Sequence, residues 1–222
     1  MKERPIIFTA DSVRAILEGR KMQTRRVVKP QPVGHWGSRV PPLAGGVLQC
    51  ITVADWKPRD AYIRCPYGVV GDRLWVRETW QGWHSSGEEL DRGVEHESAS
   101  YVTYKADGKS FPVEWRSPLF MPHWASRITL EITDVRVQRV QEINKADAIA
   151  EGISVFPLQS ADDPSAWYQS APGVNQQRSA RASYAALWDS INAKRGFSWQ
   201  SNPWVWCLTF RKLPQEVLEY TP

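Results

Sequence analysis

Hydrophobic and polar positions alternate most regularly between Ser126 and Val140. Ile128, Leu130 and Ile132 occupy every second position, and polar residues separate them. This period of two predicts a strand with one buried and one solvated face. The segment from Trp204 to Phe210 alternates in the same way and predicts a last strand, and shorter strands are expected at 4–9, 24–28 and 101–104.

A period of three to four residues predicts three helices. Val13, Ile16 and Leu17 form an apolar face after the candidate cap Thr9, and Gly19 ends this helix. Asn144 caps a second short helix that ends at Glu151. The third helix ends near Gly196, and its apolar positions are Tyr184, Leu187, Trp188 and Ile191.

The segments between these elements are long and rich in turn-forming residues. Pro and Gly are dense between Pro30 and Gly46, and residues 159–178 are rich in Ser, Asp, Pro, Gly and Gln. We expect 159–178 to be a mobile loop and 84–112 to be an exposed excursion. The chain is therefore interpreted as one domain over residues 1–222, with insertions near 30–66, 84–125 and 154–178.

The strand before Trp80 places a carboxylate towards the core. Alternation puts Trp75 and Arg77 on one face and Glu78 on the other. A buried carboxylate is unfavourable unless it is paired. Glu78 is either part of a site or, as we favour, ion-paired with an arginine such as Arg26 or Arg127.

Charge is concentrated near the N-terminus. The 222-residue chain is 42% hydrophobic with a formal net charge of +4, and residues 1–30 hold eight Lys and Arg against three Asp and Glu. A local cationic patch attracts phosphate groups. The favoured partner is a nucleoside, a nucleotide or single-stranded nucleic acid.

Cysteine, histidine and hydropathy patterns argue against a disulfide-linked, metal-binding or membrane-spanning protein. Three widely spaced cysteines argue against a disulfide framework and favour a reducing cytoplasm. The four histidines lack metal-ligand spacing, so no metal and no cofactor are predicted. No N-terminal apolar stretch has the length of a signal peptide core or a membrane span, so we expect a soluble cytoplasmic protein.

The run from Gly19 to Arg26 places basic side chains and a hydroxyl close together at a helix end. Lys21 lies among other cations and, where desolvated, acts as a base that activates the hydroxyl of Thr24. The alternative is a solvated basic face that complements the helix dipole. Spacing by itself favours that alternative.

This run resembles the signature of the ASCH domains, a branch of the PUA-like superfamily associated with RNA and nucleotide metabolism. Gly19, Lys21 and Arg26 match G-x-K-x-x-E-x-R, and Thr24 replaces the Glu. The resemblance implies an α+β fold built on a PUA-like β-barrel, with flanking short helices and long loop insertions. Three further segments resemble the longer ASCH-like proteins of phages and prophages: 4–6, 71–78 and 202–206.

The loop is also similar to G-R-K-x-x-T of small bacterial amidohydrolases that deacetylate acetylcytidine. This similarity implies that Lys21 is a general base, that Thr24 is the nucleophile or positions water, and that Glu151 is an orienting carboxylate or proton donor. Further residues are predicted to bind substrate: Arg20, Arg25, Arg26, Arg77, Glu78, Trp36 and Trp80. Arg25 or Arg26 would steer phosphate or stabilise an oxyanion, and tryptophans near loops would stack on a base.

Three functions remain open at this point. The leading one is hydrolysis of an acylated exocyclic amine on a cytidine-like base. A non-catalytic module that binds RNA, DNA or a modified base would use the same patch and pocket. A metal-independent ribonuclease is the third. An approach of Lys21 to Glu151 in a pocket too narrow for a polynucleotide would favour the first.

Overall fold

The computed structural model describes most of the chain. The described residues are 1–32, 47–54, 57–84, 86, 101–108, 114–156, 166–170 and 176–214, with backbone only over 47–54 and 57–62. Trp36 and most of the Pro- and Gly-rich segment 30–46 lie outside them, as do 159–165 and 171–175.

The described residues form a mixed α+β fold. The strands are β1 (Glu3–Ile7), β2 (Gln23–Val27), β3 (Val47–Ala54), β4 (Lys57–Arg64), β5 (Arg73–Arg77), β6 (Trp80–Trp83), β7 (Tyr101–Tyr104), β8 (Thr129–Arg139), β9 (Ser154–Phe156), β10 (Trp167–Gln169) and β11 (Trp204–Lys212). The helices are α1 (Ala10–Leu17), α2 (Lys145–Ala150) and α3 (Ala180–Asn192). Within the described ranges, no helix combines the length and the apolar composition that a membrane crossing requires.

Five strands form the central sheet in the order β1-β5-β8-β11-β2. The β1–β5 pair is parallel, and the other pairs are antiparallel. The resemblance implies a barrel, but the last strand, β11, lies inside the sheet between β8 and β2. The edges β1 and β2 form no backbone ladder with each other in the described part of the chain, so these five strands leave the barrel open. A side chain joins them instead, because Arg26 Nη2 of β2 donates to the Ile7 carbonyl of β1 at 2.7 Å.

Each face of the sheet packs against helices. On one face, Val13 and Ile16 of α1 join a core with Leu130 and Trp206. On the other face, α2 and α3 cover Val205 and form a second core. Alternate side chains of β11 therefore pack into the two cores, so this strand is buried on both sides.

Two of the expected insertions contribute to these cores. Ala106, in the segment predicted to be an exposed excursion, is buried in the first core. Tyr168 of β10 is 5% exposed and packs in the second core, in a hairpin with β9. The prediction of 159–178 as a loop with little to bury is therefore wrong at 166–170. These strands are too short to show a period in a polar sequence.

Candidate functional site

The C-terminal end of α1 positions Lys21. Gly19 adopts a left-handed conformation with φ of 73°, and its amide donates to the Ile16 carbonyl. The next amide, that of Arg20, donates to Ala15 at 2.9 Å. This pair of bonds is the Schellman ending of a helix, in which the chain reverses direction. The reversal carries Lys21 back across the end of α1.

The end of α2 has the same construction. Gly152 has φ of 98°, its amide donates to Ile149 at 2.8 Å, and the Ile153 amide donates to Ala148 at 3.4 Å. Glu151 is the last helical position before this glycine. Two helix ends that are 130 residues apart in sequence thus present one side chain each.

Lys21 and Glu151 meet between these ends. Their backbones form an isolated antiparallel bridge. Lys21 Nζ donates to the Glu151 carbonyl at 2.6 Å and to Glu151 Oε2 at 2.7 Å. Each side chain is 4% exposed, so this ion pair is almost completely desolvated. Because the Glu151 carbonyl lies at the C-terminal end of α2, the ammonium also complements the helix dipole.

Arg25 completes the coordination of Glu151. Its Nη1 donates to Glu151 Oε1 at 3.1 Å, and its Nη2 donates to Asp147 Oδ2 at 2.8 Å. With its amide oxygen turned towards the guanidinium, Gln138 accepts from Arg25 Nη2 at 2.9 Å and from Nε at 3.1 Å. The Arg25 side chain is 0% exposed. Arg25 was expected, as an alternative to Arg26, to steer phosphate or stabilise an oxyanion, but its donors are used by partners inside the protein.

Several members of this network were not predicted as site residues. Asp147 accepts from Arg25 through one carboxylate oxygen and from Arg136 Nη2 through the other, at 3.0 Å. Tyr184 was expected to pack in a core, and its hydroxyl approaches Glu151 Oε1 at 3.5 Å. The sequence signal for Asp147 was its position one helical turn before Glu151, on the same face of α2.

Burial shifts the pKa of the central lysine. Desolvation is the largest effect and lowers the pKa of Lys21, although the ion pair with Glu151 opposes it. Burial likewise raises the pKa of Tyr184 well above its usual value. Burial therefore favours the neutral form of Lys21, and the contact with Glu151 favours the charged form.

The remaining residues of the signature lie around this network. Arg20 Nη1 donates to the Gly152 carbonyl at 3.0 Å, at the exposed rim. Thr24 is buried on β2, and its hydroxyl makes no hydrogen bond among the described residues. By strand alternation, Thr24 shares a face with Arg26 and lies opposite Arg25. The ring of Phe8 lies 5.8 Å from Lys21 Nζ and 5.2 Å from the Arg26 guanidinium.

Other predicted substrate residues belong to a second cluster. Glu78 accepts two bonds from Arg127, at 2.9 and 3.0 Å, which is the pairing we favoured from the sequence. Arg77 lies over the Trp75 ring, and Trp80 packs in a separate small core with Met121. The structure does not bring Arg77, Glu78 or Trp80 to the Lys21–Glu151 pair.

A pocket of about 280 Å³ adjoins the pair. Its walls are the start of α1 and the second half of α3, and Glu151 and Gly152 are part of its lining. Lys21 and Thr24 are not on the lining, so Glu151 and Gly152 separate the open space from the lysine. The volume is at the lower limit of small-molecule pockets, which is about 300 Å³.

Comparisons with protein-family models, with curated proteins and with solved structures found no match. Within the described part of the chain, no three His, Cys, Asp or Glu side chains are grouped so that they could hold a metal ion. The site is therefore characterised by its own geometry: a desolvated Lys–Glu pair, a buried arginine and an adjoining small pocket.

Proposed function

We propose that this chain is a PUA-like protein of the ASCH type that hydrolyses an acylated exocyclic amine on a cytidine-like nucleoside. The single observation that carries the proposal is the contact between Lys21 Nζ and Glu151 Oε2 at 2.7 Å in a desolvated position. Lys21 of the signature loop and Glu151 at the α2 end, which the resemblance joins in one site, lie in contact.

The chemistry requires a base that is neutral near physiological pH. Burial lowers the pKa of Lys21, and Arg25 holds the counter-charge for Glu151. Lys21 would take a proton from water, or from the Thr24 hydroxyl, as the oxygen attacks the acyl carbon. The carbon–nitrogen bond would then break, with the proton passing to the exocyclic nitrogen. Attack by water gives the carboxylic acid and the free amine of the base directly. Attack by Thr24 would release the amine and leave an acyl ester on Thr24, which a water molecule would then hydrolyse to the acid and the free hydroxyl.

Pocket size favours a small substrate over a polymer. A volume of about 280 Å³ is close to that of pockets that bind small molecules. Arg25, one of the two arginines expected to steer phosphate, is also enclosed inside the protein by Glu151, Asp147 and Gln138. Both observations favour a nucleoside hydrolase.

Incubation with a panel of acylated nucleosides, followed by mass analysis of the products, tests the proposal. Lys21→Arg should abolish turnover, because arginine keeps its proton near neutral pH. Thr24→Ala and Glu151→Gln should lower turnover by about a hundredfold or more, the scale of losing a positioned acid or base. Lys105→Arg, on an exposed lysine outside the site, should be neutral.

Thermal unfolding of each variant separates loss of chemistry from loss of fold. Near-full activity of all three site variants on a panel substrate would refute the assignment of Lys21, Thr24 and Glu151. Binding of panel members without any turnover by the native protein would favour the non-catalytic module instead.

A further inference from the structure

Five cations cluster around the motif Asn202-Pro203-Trp204, far in sequence from the signature loop. We call them the basic face: Lys29, Arg139, Arg181, Lys194 and Arg195. None of them forms an ion pair with a carboxylate in the described part of the chain. Near the N-terminus, by contrast, Arg4, Arg14 and Arg20 are each ion-paired. The five cations of the basic face therefore carry charge that no carboxylate pairs in the described part of the chain.

Direct contacts make the basic face continuous. Gln141 Nε2 donates to the Trp199 carbonyl at 2.8 Å, and the Gln141 amide donates to Asn202 Oδ1 at 3.1 Å. The Asn202 carbonyl accepts from Arg139 Nη1 at 2.9 Å. Asn202 has φ of 45°, and it is the single non-glycine residue with positive φ among those described. This left-handed position lets one residue bind Arg139 and Gln141 together.

Lys29 extends the face on the far side of Trp204. The Val28 amide donates to the Trp204 carbonyl at 3.0 Å, which fixes the start of the following segment. Lys29 Nζ then lies 5.4 Å from the Phe197 ring. Lys194 and Arg195, which directly precede Gly196 and Phe197, are exposed beside it.

Two guanidinium groups on this face are each held by a backbone carbonyl and lie over an aromatic ring. Arg181 Nη2 donates to the Gln141 carbonyl at 2.9 Å, and its guanidinium lies 5.1 Å from the Trp199 ring. The Arg139 guanidinium lies 4.4 Å from the Trp204 ring. Arg181 is exposed and Arg139 is partly exposed, so both guanidinium groups are accessible from solvent.

The nearby carboxylates do not neutralise these cations. Glu142 Oε2 accepts from the Arg139 backbone amide at 3.0 Å, and Asp189 Oδ1 accepts from the Trp199 amide at 2.5 Å. Both acids are thus used to fix the backbone of the face. Five cations against two carboxylates leave a net positive surface.

We propose that the basic face binds single-stranded nucleic acid, independently of the pocket beside Glu151. The lysines and Arg195 would contact phosphates, and the two fixed guanidinium planes would stack on bases. Arginine planes are common stacking partners for unpaired bases, and holding them in place beforehand lowers the entropy lost on binding. An acidic peptide would form ion pairs with these cations but has no bases to stack on the two guanidinium groups. The observations therefore favour a nucleic acid over an acidic protein partner.

Fluorescence anisotropy with labelled 20-residue oligouridylate and oligothymidylate tests this proposal. Changing Lys29, Lys194 and Arg195 together to Ala should reduce the slope of log binding constant against log salt concentration by about two. Each phosphate contact on a single strand contributes about 0.7 to that slope. The double change Arg139→Lys and Arg181→Lys keeps the charge and removes the planes, and it should weaken binding about tenfold. Neither change should alter nucleoside turnover.

The matched control changes Lys2, Lys105 and Lys212 to Ala, which removes the same charge from exposed lysines elsewhere. Its salt dependence should remain that of the native protein. Equal weakening in the control, or displacement of the oligonucleotide by polyglutamate at the same charge concentration, would overturn the proposal. So would failure of both oligonucleotides to bind. Tight binding of either one, lost in the face variants, supports it.

Discussion

Gly152 is the residue at which the two helix ends come closest. A Cβ atom built there would lie 3.2 Å from Ala15 Cβ and 3.3 Å from Lys21 Cβ. Gly152 also has a positive φ, which side chains disfavour. The missing side chain therefore serves two purposes: it permits the turn after α2, and it makes room for the stem of Lys21.

Comparison of Gly152→Ala with Gly19→Ala separates these two purposes. Both glycines have positive φ, and the left-handed conformation costs an alanine about 1–2 kcal/mol. A Cβ at Gly19 would meet nothing within 4 Å. We expect Gly152→Ala to lower the free energy of unfolding more than Gly19→Ala, as measured by urea denaturation. Equal losses would show that Lys21 and Ala15 shift without penalty.

One carboxylate, that of Asp72 just before β5, adds to the backbone ladder that joins β1 to the sheet. Asp72 Oδ1 accepts from the Lys2 amide at 2.7 Å, and its Oδ2 accepts from Arg4 Nη1 at 2.8 Å. The bond from Arg4 is the largest effect and lowers the pKa of Asp72 from 3.8 to about 2. Because the folded-state pKa is depressed, the carboxylate stabilises the fold above the unfolded-state pKa.

Asp72→Asn should therefore lower the free energy of unfolding at neutral pH, by about 1–2 kcal/mol. The difference between native and variant protein should shrink as pH falls from about 4 towards 2, since the native carboxylate is then protonated as well. Asp11→Asn is a suitable control, because the Asp11–Arg14 pair lies on an exposed part of α1. A difference that does not change with pH would contradict this role of Asp72.

At the level of elements, long periodic segments were predictable and short ones were not. The α1 face, β8 and β11 follow from hydrophobic spacing, and Thr9 and Asn144 do cap their helices. Strand β10, with three residues and one buried tyrosine, has too few positions to show a period. Ala106 carries no sequence signal for burial, because its place in the core is set by strands far away along the chain.

At the level of the whole molecule, the sequence could suggest Lys21 and Glu151 only through resemblance. Their meeting depends on two helix ends whose relative position is determined by the packing of both helices on the sheet. The same cause explains why the partners of Arg25 were not predicted. Its partners Asp147 and Glu151 lie 122 and 126 residues away in sequence. The residues next to Arg25 in sequence therefore indicate only a run of basic side chains without partners.

The Lys21–Glu151 pair joins the N-terminal helix to the middle of the chain, and its contribution to folding can be measured separately from catalysis. Lys21→Met leaves Glu151 with Arg25, whereas Glu151→Gln leaves two buried cations around a neutral amide. Removing one partner of a buried pair costs about 3–5 kcal/mol, mainly because the other charge is left uncompensated.

The double variant removes both charges, so its loss of unfolding free energy should be smaller than the sum of the single losses. We expect a coupling energy of about 1–3 kcal/mol from urea denaturation of the four proteins. The same cycle on the exposed Arg211–Glu131 pair, at 2.8 Å, should give less than about 1 kcal/mol. Additive losses at Lys21 and Glu151 would mean that the contact between the two helix ends contributes nothing to folding. Strong coupling would mean that any catalytic use of the lysine operates within a contact that the fold itself requires.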